Sequence, residues 1–263
     1  MFARNIYAKN MEKRTALITG ATSGIGEATA RLLAAHGHRI IICGRRGDRL
    51  EILQQEFQQL TDVITLQFDV RDKQAVYQAI DSLPAAWQHI DILINNAGNA
   101  HGLSPIQDGD EEDWEAMLDI NIKGLLYTTK KVVQGMVTRQ AGHIVNIGSI
   151  AGKEVYQGGN VYCASKFAVD ALNKGMLLDL NAYGIKVTAI NPGLVATEFS
   201  MVRFKGDAER AKKVYEGMQP LKPEDIADII YFVVTRPAHV NLSDITVLPT
   251  AQASATTVRR SLS

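Results

Sequence analysis

At 263 residues and 46% hydrophobic, the chain has the length of one large α/β domain and ample material for its core. Lys plus Arg and Asp plus Glu both number 28, a formal net charge of zero, which argues against a general nucleic-acid binder or an anionic-membrane binder. Cys43 and Cys163 lie far apart and suggest neither a disulfide framework nor a metal site. No stretch approaches the roughly eighteen apolar residues of a membrane span, so a soluble cytoplasmic protein is the expectation.

Residues 1–14 carry Arg4, Lys9, Lys13 and Arg14 without an apolar stretch, so they are not a secretory signal. They read as a disordered lead-in, or as residues upstream of a start at Met11. Thr15 to Thr19 is an apolar, β-forming run that leads directly into Gly20-Ala21-Thr22-Ser23-Gly24-Ile25-Gly26 and a helical pattern from Glu27 to Gly37. Strand, glycine turn and helix in that order cradle phosphates: the glycines admit a close approach of backbone amides, and the helix N-terminus is electropositive. The spacing is G-x-x-x-G-x-G.

Strand-like runs then alternate with helical ones. Arg39 to Cys43 precedes a helix over 48–59, Val63 to Phe68 precedes one over 73–83, and Ile90 to Ile94 is a continuous apolar run of the doubly buried kind. A long helical pattern from Glu111 to Thr138 is interrupted near Asn121 and Gly124. Strands over 143–147 and 185–190 flank a helix over 162–183, a helix over 223–235 opens on Pro223-Glu224-Asp225, and a strand over 245–248 closes the series. The alternation predicts one doubly wound parallel sheet, a Rossmann fold over residues 15–250 with helices on both faces. Residues 197–219 break the pattern after the sixth strand and read as a lid over the ligand crevice, or as a solvated excursion. Residues 251–263 form a tail that either crosses to a neighbouring subunit or is disordered.

Tyr162 and Lys166 stand four residues apart, one helical turn, so both side chains share a face. A phenol loses its proton near pH 10, about three units too high for a base at neutral pH, and a nearby ammonium lowers that value. The pair is a proton-transfer device, although ordinary surface neighbours occur at the same spacing.

The motifs fall in one order: Thr19-Gly20-x-x-x-Gly24-Ile25-Gly26, Asn95-Asn96-Ala97-Gly98, Asn121, Ser149, Tyr162-x-x-x-Lys166 and Pro192-Gly193. The chain thereby resembles the short-chain dehydrogenase/reductase family over about residues 15–250. The resemblance implies Tyr162 as the general acid/base, with Lys166 lowering its pKa and holding the nicotinamide ribose. It implies Ser149 as the hydrogen-bond donor to the reacting oxygen, and Asn121 as holding a water that links Lys166 to solvent. Asn96, Ala97 and Gly98 would pack a cofactor ribose, Asp69 and Val70 the adenine, and Pro192, Gly193, Val195 and Thr197 would close over the nicotinamide and pyrophosphate.

The second strand ends in Gly44-Arg45-Arg46 with no carboxylate before Asp48. Two guanidiniums suit the 2′-phosphate of NADP and leave NAD without its usual acidic partner, unless the pair faces solvent. Some NADP-using relatives carry a basic residue within the glycine turn, where this chain has Ser23. Residues 152–160, the run Val202-Arg203-Phe204-Lys205-Gly206-Asp207 and the C-terminal segment resemble the branch of NADP-dependent 3-hydroxy acid dehydrogenases. That branch acts on serine, allo-threonine, 3-hydroxyisobutyrate and 3-hydroxypropionate, and some members reduce malonic semialdehyde. A small carboxylate needs a cation, and Arg203 is the candidate, with a solvated lid charge as the alternative reading.

His101, His143 and Cys163 read as structural or solvent-facing residues. Two other functions stay open: a short-chain carbonyl reductase for a different ketone or acyl substrate, and a dinucleotide-sensing regulator. The second is disfavoured because Tyr162 and Lys166 are both kept. Kinship implies a homotetramer.

Overall fold

The computed structural model describes residues 13–261. Its centre is a seven-stranded sheet in the order β3-β2-β1-β4-β5-β6-β7. The strands are β1 (Thr15–Thr19), β2 (Arg39–Gly44), β3 (Val63–Gln67), β4 (Ile92–Asn95), β5 (Gly142–Ile147), β6 (Ile185–Pro192) and β7 (Asp244–Val247). Every neighbouring pair is parallel. The helices are α1 (Gly24–Ala35), α2 (Gly47–Phe57), α3 (Lys73–Asp81), α4 (Glu111–Leu118), α5 (Leu125–Arg139), α6 (Asn160–Leu180), α7 (Phe199–Arg203), α8 (Ala208–Lys213) and α9 (Pro223–Val234).

The period of two along each strand explains the continuous apolar runs. Ala16, Ile18, Ile40, Ile42, Ile92 and Ile94 point to one face and pack under Leu33 of α1, Leu50, Leu53 and Phe57 of α2, and Ile226 and Ile230 of α9. Leu17, Ile41, Leu93 and Ile144 point to the other, against Val76 and Ile80 of α3 and Val132 and Met136 of α5. With both faces covered, no alternation with polar residues is needed.

β1 lies between β2 and β4, because the chain returns across β1 after β3. This reversal of winding opens a crevice at the carboxyl ends of β1 and β4, where a ligand can sit between diverging loops. The long helical pattern from Glu111 is continuous, but at Asp119–Gly124 it widens into a π turn. The segment expected as a lid holds two short helices, α7 and α8, joined through Lys205 at φ 51°.

Lys13 and Arg14, at the end of the expected lead-in, contact the domain, Lys13 Nζ lying 2.9 Å from Asp62 and Arg14 donating to the Val234 carbonyl. The remainder of the lead-in, including Met11, lies outside the described residues. The tail folds back on its own chain: Gln252 Oε1 accepts from Leu194 N at 2.9 Å, and Arg260 Nη2 donates to the Val214 carbonyl just after α8 at 3.0 Å. Among the described residues no helix is long and apolar enough to cross a membrane.

Candidate active site

A cleft of about 710 Å³ runs along the carboxyl ends of the strands, from Arg45 and Arg46 at one end to Tyr156, Arg203 and Phe204 at the other. Its floor is the glycine turn between β1 and α1. Gly20 and Gly24 take φ of +64° and +55°, a region costly for any residue with a Cβ. At Gly26 a Cβ would lie 2.4 Å from the Gly20 carbonyl and 2.4 Å from Asn96 Nδ2, so the turn can be this tight only without side chains. Asn96 secures the turn, donating Nδ2 to the Thr19 and Gly20 carbonyls at 3.0 and 3.1 Å. The Asn96 and Ala97 amides both donate to Thr19 Oγ1 at 3.0 Å.

Thr22, Ser23 and Ile25 line the cleft in front of the α1 N-terminus, while Ala21 is buried behind it with its N–H on the Cys43 carbonyl at 3.0 Å. A glycine floor without Cβ atoms and an open helix N-terminus fit a dinucleotide pyrophosphate. Gly98 and Val195 border the same cleft, with Asp69, Val70, Pro192, Gly193 and Thr197.

α6 carries Tyr162 and Lys166 to the middle of the cleft, both 7% exposed. Lys166 Nζ donates to the Ile147 carbonyl at 3.0 Å and lies 6.0 Å from the centre of the Tyr162 ring. Burial pulls the Lys166 ammonium down to about 8. Burial also pushes the Tyr162 phenol up, Tyr156 adds to the rise, and a hydrogen bond from Ser149 and the charge of Arg203 oppose it. This differs from a phenol held low by Lys166: desolvation wins, and the group is poised as an acid. Ser149 Oγ accepts from the Ala151 N–H at 3.0 Å, which leaves its own hydroxyl proton available for donation. Phe199 meets the Tyr162 ring edge-on at 5.6 Å between centres.

Asn121 is buried, and the π turn aims its amide at the loop after β4. Its Oδ1 accepts from Asn99 N at 2.9 Å, and its Nδ2 donates to the Asn99 carbonyl and Ser165 Oγ, each at 2.9 Å. A Cβ built on Gly98 would meet Asn121 Oδ1 at 3.0 Å and Lys166 Nζ at 3.5 Å, so both groups face one small space.

Arg203, at the end of α7, turns inward. Its Nε donates to the Gly102 carbonyl at 3.0 Å, the Gly102 N–H donates back to the Arg203 carbonyl at 2.9 Å, and Nη1 donates to Tyr156 Oη at 2.9 Å. Nη2 is buried and finds no hydrogen-bond partner among the described residues. Lys205, on the outer side, pairs with Asp110 and Asp113, both at 3.0 Å.

At the other end, Arg45 and Arg46 diverge. Arg45 Nη1 lies 3.6 Å from Asp69, whereas Arg46 folds over the turn, with Nη2 on Ser23 Oγ at 2.8 Å and Nε on Thr22 Oγ1 at 3.1 Å. A guanidinium thus stands above Ser23 in the glycine turn. His101 and His143 do not line the cleft: His143 is buried with Nε2 2.9 Å from Thr188 Oγ1. Sequence reasoning missed Arg49, Glu198, Tyr156 and Gln252. Of these, only Arg49 had a local signal, standing one helical turn after Arg45 and Arg46.

Residues 14–208 match the short chain dehydrogenase family. The chain belongs to that family. Over 240 residues it is 49% identical to the NADP-dependent 3-hydroxy acid dehydrogenase YdfG of Salmonella typhimurium, covering 91% of this chain and 96% of that one. It is 45% identical over 238 residues to sulfoacetaldehyde reductase 2 of Chromohalobacter salexigens, covering 90% and 94%. Among solved structures, the closed form of serine dehydrogenase complexed with NADP+ superposes with a TM-score of 0.88 at 45% identity, covering 94% of this chain and all of the other.

Proposed function

We propose that this short-chain dehydrogenase exchanges hydride between NADP and the hydroxyl-bearing carbon of a small 3-hydroxy acid, with serine, allo-threonine, 3-hydroxyisobutyrate and 3-hydroxypropionate as the candidate class. That it is an NADP-dependent oxidoreductase of alcohols follows from its family and from relatives of that dependence. The carrying observation for the acid is Arg203. A buried guanidinium nitrogen with no acceptor is costly, and a substrate carboxylate in the cleft that Arg203 lines offers the guanidinium an anionic acceptor. An uncharged ketone, the carbonyl-reductase alternative, would leave it unpaired.

The residues present fit the cofactor. Gly20, Thr22, Ser23, Gly24 and Ile25 would receive the pyrophosphate, Arg45 and Arg46 the 2′-phosphate, Asp69 and Val70 the adenine, and Asn96 to Gly98 a ribose. Tyr162 and Lys166 would hold the nicotinamide ribose, and Pro192 to Thr197 would cover the ring. When bound, the nicotinamide supplies or accepts the hydride.

This chain's own residues do the rest. Arg203 and Tyr156 hold the carboxylate, which sets the substrate's carbonyl or carbinol carbon against Tyr162. In reduction, Tyr162 gives its phenolic proton to the substrate oxygen while the Ser149 hydroxyl donates a second hydrogen bond to it. Lys166 stabilises the phenolate left behind, and the space shared with Asn121 leads the replacement proton inward. In oxidation the same proton runs from the substrate hydroxyl to Tyr162. Phe199 excludes water beside the ring. The homotetramer expected from kinship rests on exposed apolar side chains of α5 and α6, Leu126, Phe167 and Leu178, and light scattering of the purified protein tests it. Replacing Arg203 by Ala and comparing carboxylate with uncharged substrates tests the main reading.

A further inference from the structure

Glu198 is the residue before α7, and its carboxylate is tied to the cofactor end of the cleft. Oε2 accepts from Arg46 Nη1 and Oε1 from Arg49 Nη1, each at 2.8 Å. Arg46 spends its other nitrogens on the glycine turn: Nε on Thr22 Oγ1 at 3.1 Å, and Nη2 on Ser23 Oγ at 2.8 Å and the Thr22 carbonyl at 3.1 Å. Arg49 Nη1 also reaches the Thr22 carbonyl, at 3.2 Å. Every nitrogen of the Arg46 fork therefore already has an acceptor.

Only the second N–H of Arg46 Nη1 is left for a 2′-phosphate, and it lies beside the Glu198 carboxylate that already holds that nitrogen. Thr22 and Ser23 are neutral acceptors on the rigid turn that the pyrophosphate also needs. Among the described residues Glu198 is the only anion bonded to Arg46, its side chain is exposed, and it would repel a phosphate on the same guanidinium. Glu198 lines the cleft beside Arg45, Arg46, Thr22 and Ser23. The Arg46 hydrogen bond holds its carboxyl below the usual carboxylate range against the opposing effect of burial, with Arg49 adding to the depression, so it is an anion at neutral pH.

We propose that Glu198 is an internal stand-in for the 2′-phosphate: it occupies Arg46 and Arg49 until NADP binds, is exchanged for the phosphate, and so sets how tightly that phosphate is held. The proposal rests on the reading of this end of the cleft as the NADP 2′-phosphate site, and it adds Arg49 to that site. Exposed ion pairs are individually weak, each worth at most about a factor of five, so removing the competing carboxylate tightens phosphate binding on the order of fivefold rather than a thousandfold.

The test is calorimetric titration of the full-length protein with adenosine 2′,5′-bisphosphate and with AMP, neither of which requires turnover. Glu198→Gln is expected to bind the bisphosphate about fivefold more tightly with AMP affinity unchanged, and Arg49→Gln to bind the bisphosphate several-fold more weakly with AMP again unchanged. Unchanged or weaker bisphosphate binding by Glu198→Gln, or an equal shift for both nucleotides, overturns the proposal, since Glu198 would then only hold the arginines in place. If the wild type itself does not prefer the bisphosphate over AMP, the NADP site is wrong and the proposal falls with it. A preference that is intact but not raised in Glu198→Gln overturns the proposal alone.

Discussion

The guanidinium carbon of Arg203 lies 5.5 Å from the centre of the Tyr162 ring. That places the guanidinium over the phenol ring, so charge and proton donor stand side by side in the cleft. The pairing predicts that Arg203→Ala raises KM for 3-hydroxy acids by about 10 to 100-fold, the worth of hydrogen bonds to a charged group. Turnover of an uncharged secondary alcohol should change little. Steady-state kinetics on both substrate types checks this, and an unchanged KM for the acids would remove Arg203 from the site.

Tyr162→Phe should lower kcat by about 10²- to 10⁴-fold while nucleotide affinity is kept, because it deletes the proton and little else. The pH dependence has a definite sign. Burial keeps Tyr162 protonated well into alkaline solution, whereas Lys166 loses its charge as pH rises through about 8. Reduction of malonic semialdehyde should therefore be fastest below about pH 8 and fall above it. Oxidation, which needs Tyr162 to accept a proton, should climb with pH. A reduction rate that rises from pH 7 to 9 would contradict the assignment.

Two buried histidines make the fold acid-sensitive. Burial holds His38 down at about 4 and His143 down at about 3, against 6.5 in the unfolded chain. The unfolded state thus binds protons first, so stability is full above about pH 6.5 and is lost as pH falls towards 4, by on the order of a few kcal/mol. Melting temperature should drop steeply between pH 6.5 and 4, and less steeply in His38→Asn. A flat profile across that range would show that these rings are not buried neutral.

Glycine substitutions separate the site from the scaffold. Gly26→Ala should destabilise the protein by roughly 1–3 kcal/mol and abolish nucleotide binding, since its methyl would overlap the Gly20 carbonyl and Asn96. Gly175→Ala in α6, where a Cβ meets nothing within 4 Å among the described residues, should stabilise by about 0.5–1 kcal/mol. Thermal melts with and without adenosine 2′,5′-bisphosphate distinguish the two.

Much of this was legible in the chain because it is local. The glycine turn follows its strand directly, Tyr162 and Lys166 are one turn apart, and runs such as Ile90 to Ile94 announce a strand buried on both faces. Asn121 was legible as an interruption, but not as a π turn, because the extra residue in that turn is accommodated by bonds to Asn99 and Ser165 on other segments. Arg45 and Arg46 read as one pair, yet only Arg46 meets Ser23, since adjacent side chains on an extended segment diverge. Glu198 and Tyr156 carried no local signal: their partners Arg46 and Arg203 lie 152 and 47 residues away, and only the fold brings them together.

The central claim is tested most directly by following NADP reduction with serine, 3-hydroxyisobutyrate and 3-hydroxypropionate beside uncharged secondary alcohols, with NAD in parallel. Turnover of the acids with NADP, and little with NAD or with the alcohols, is the predicted result. Activity on the uncharged alcohols alone would contradict it.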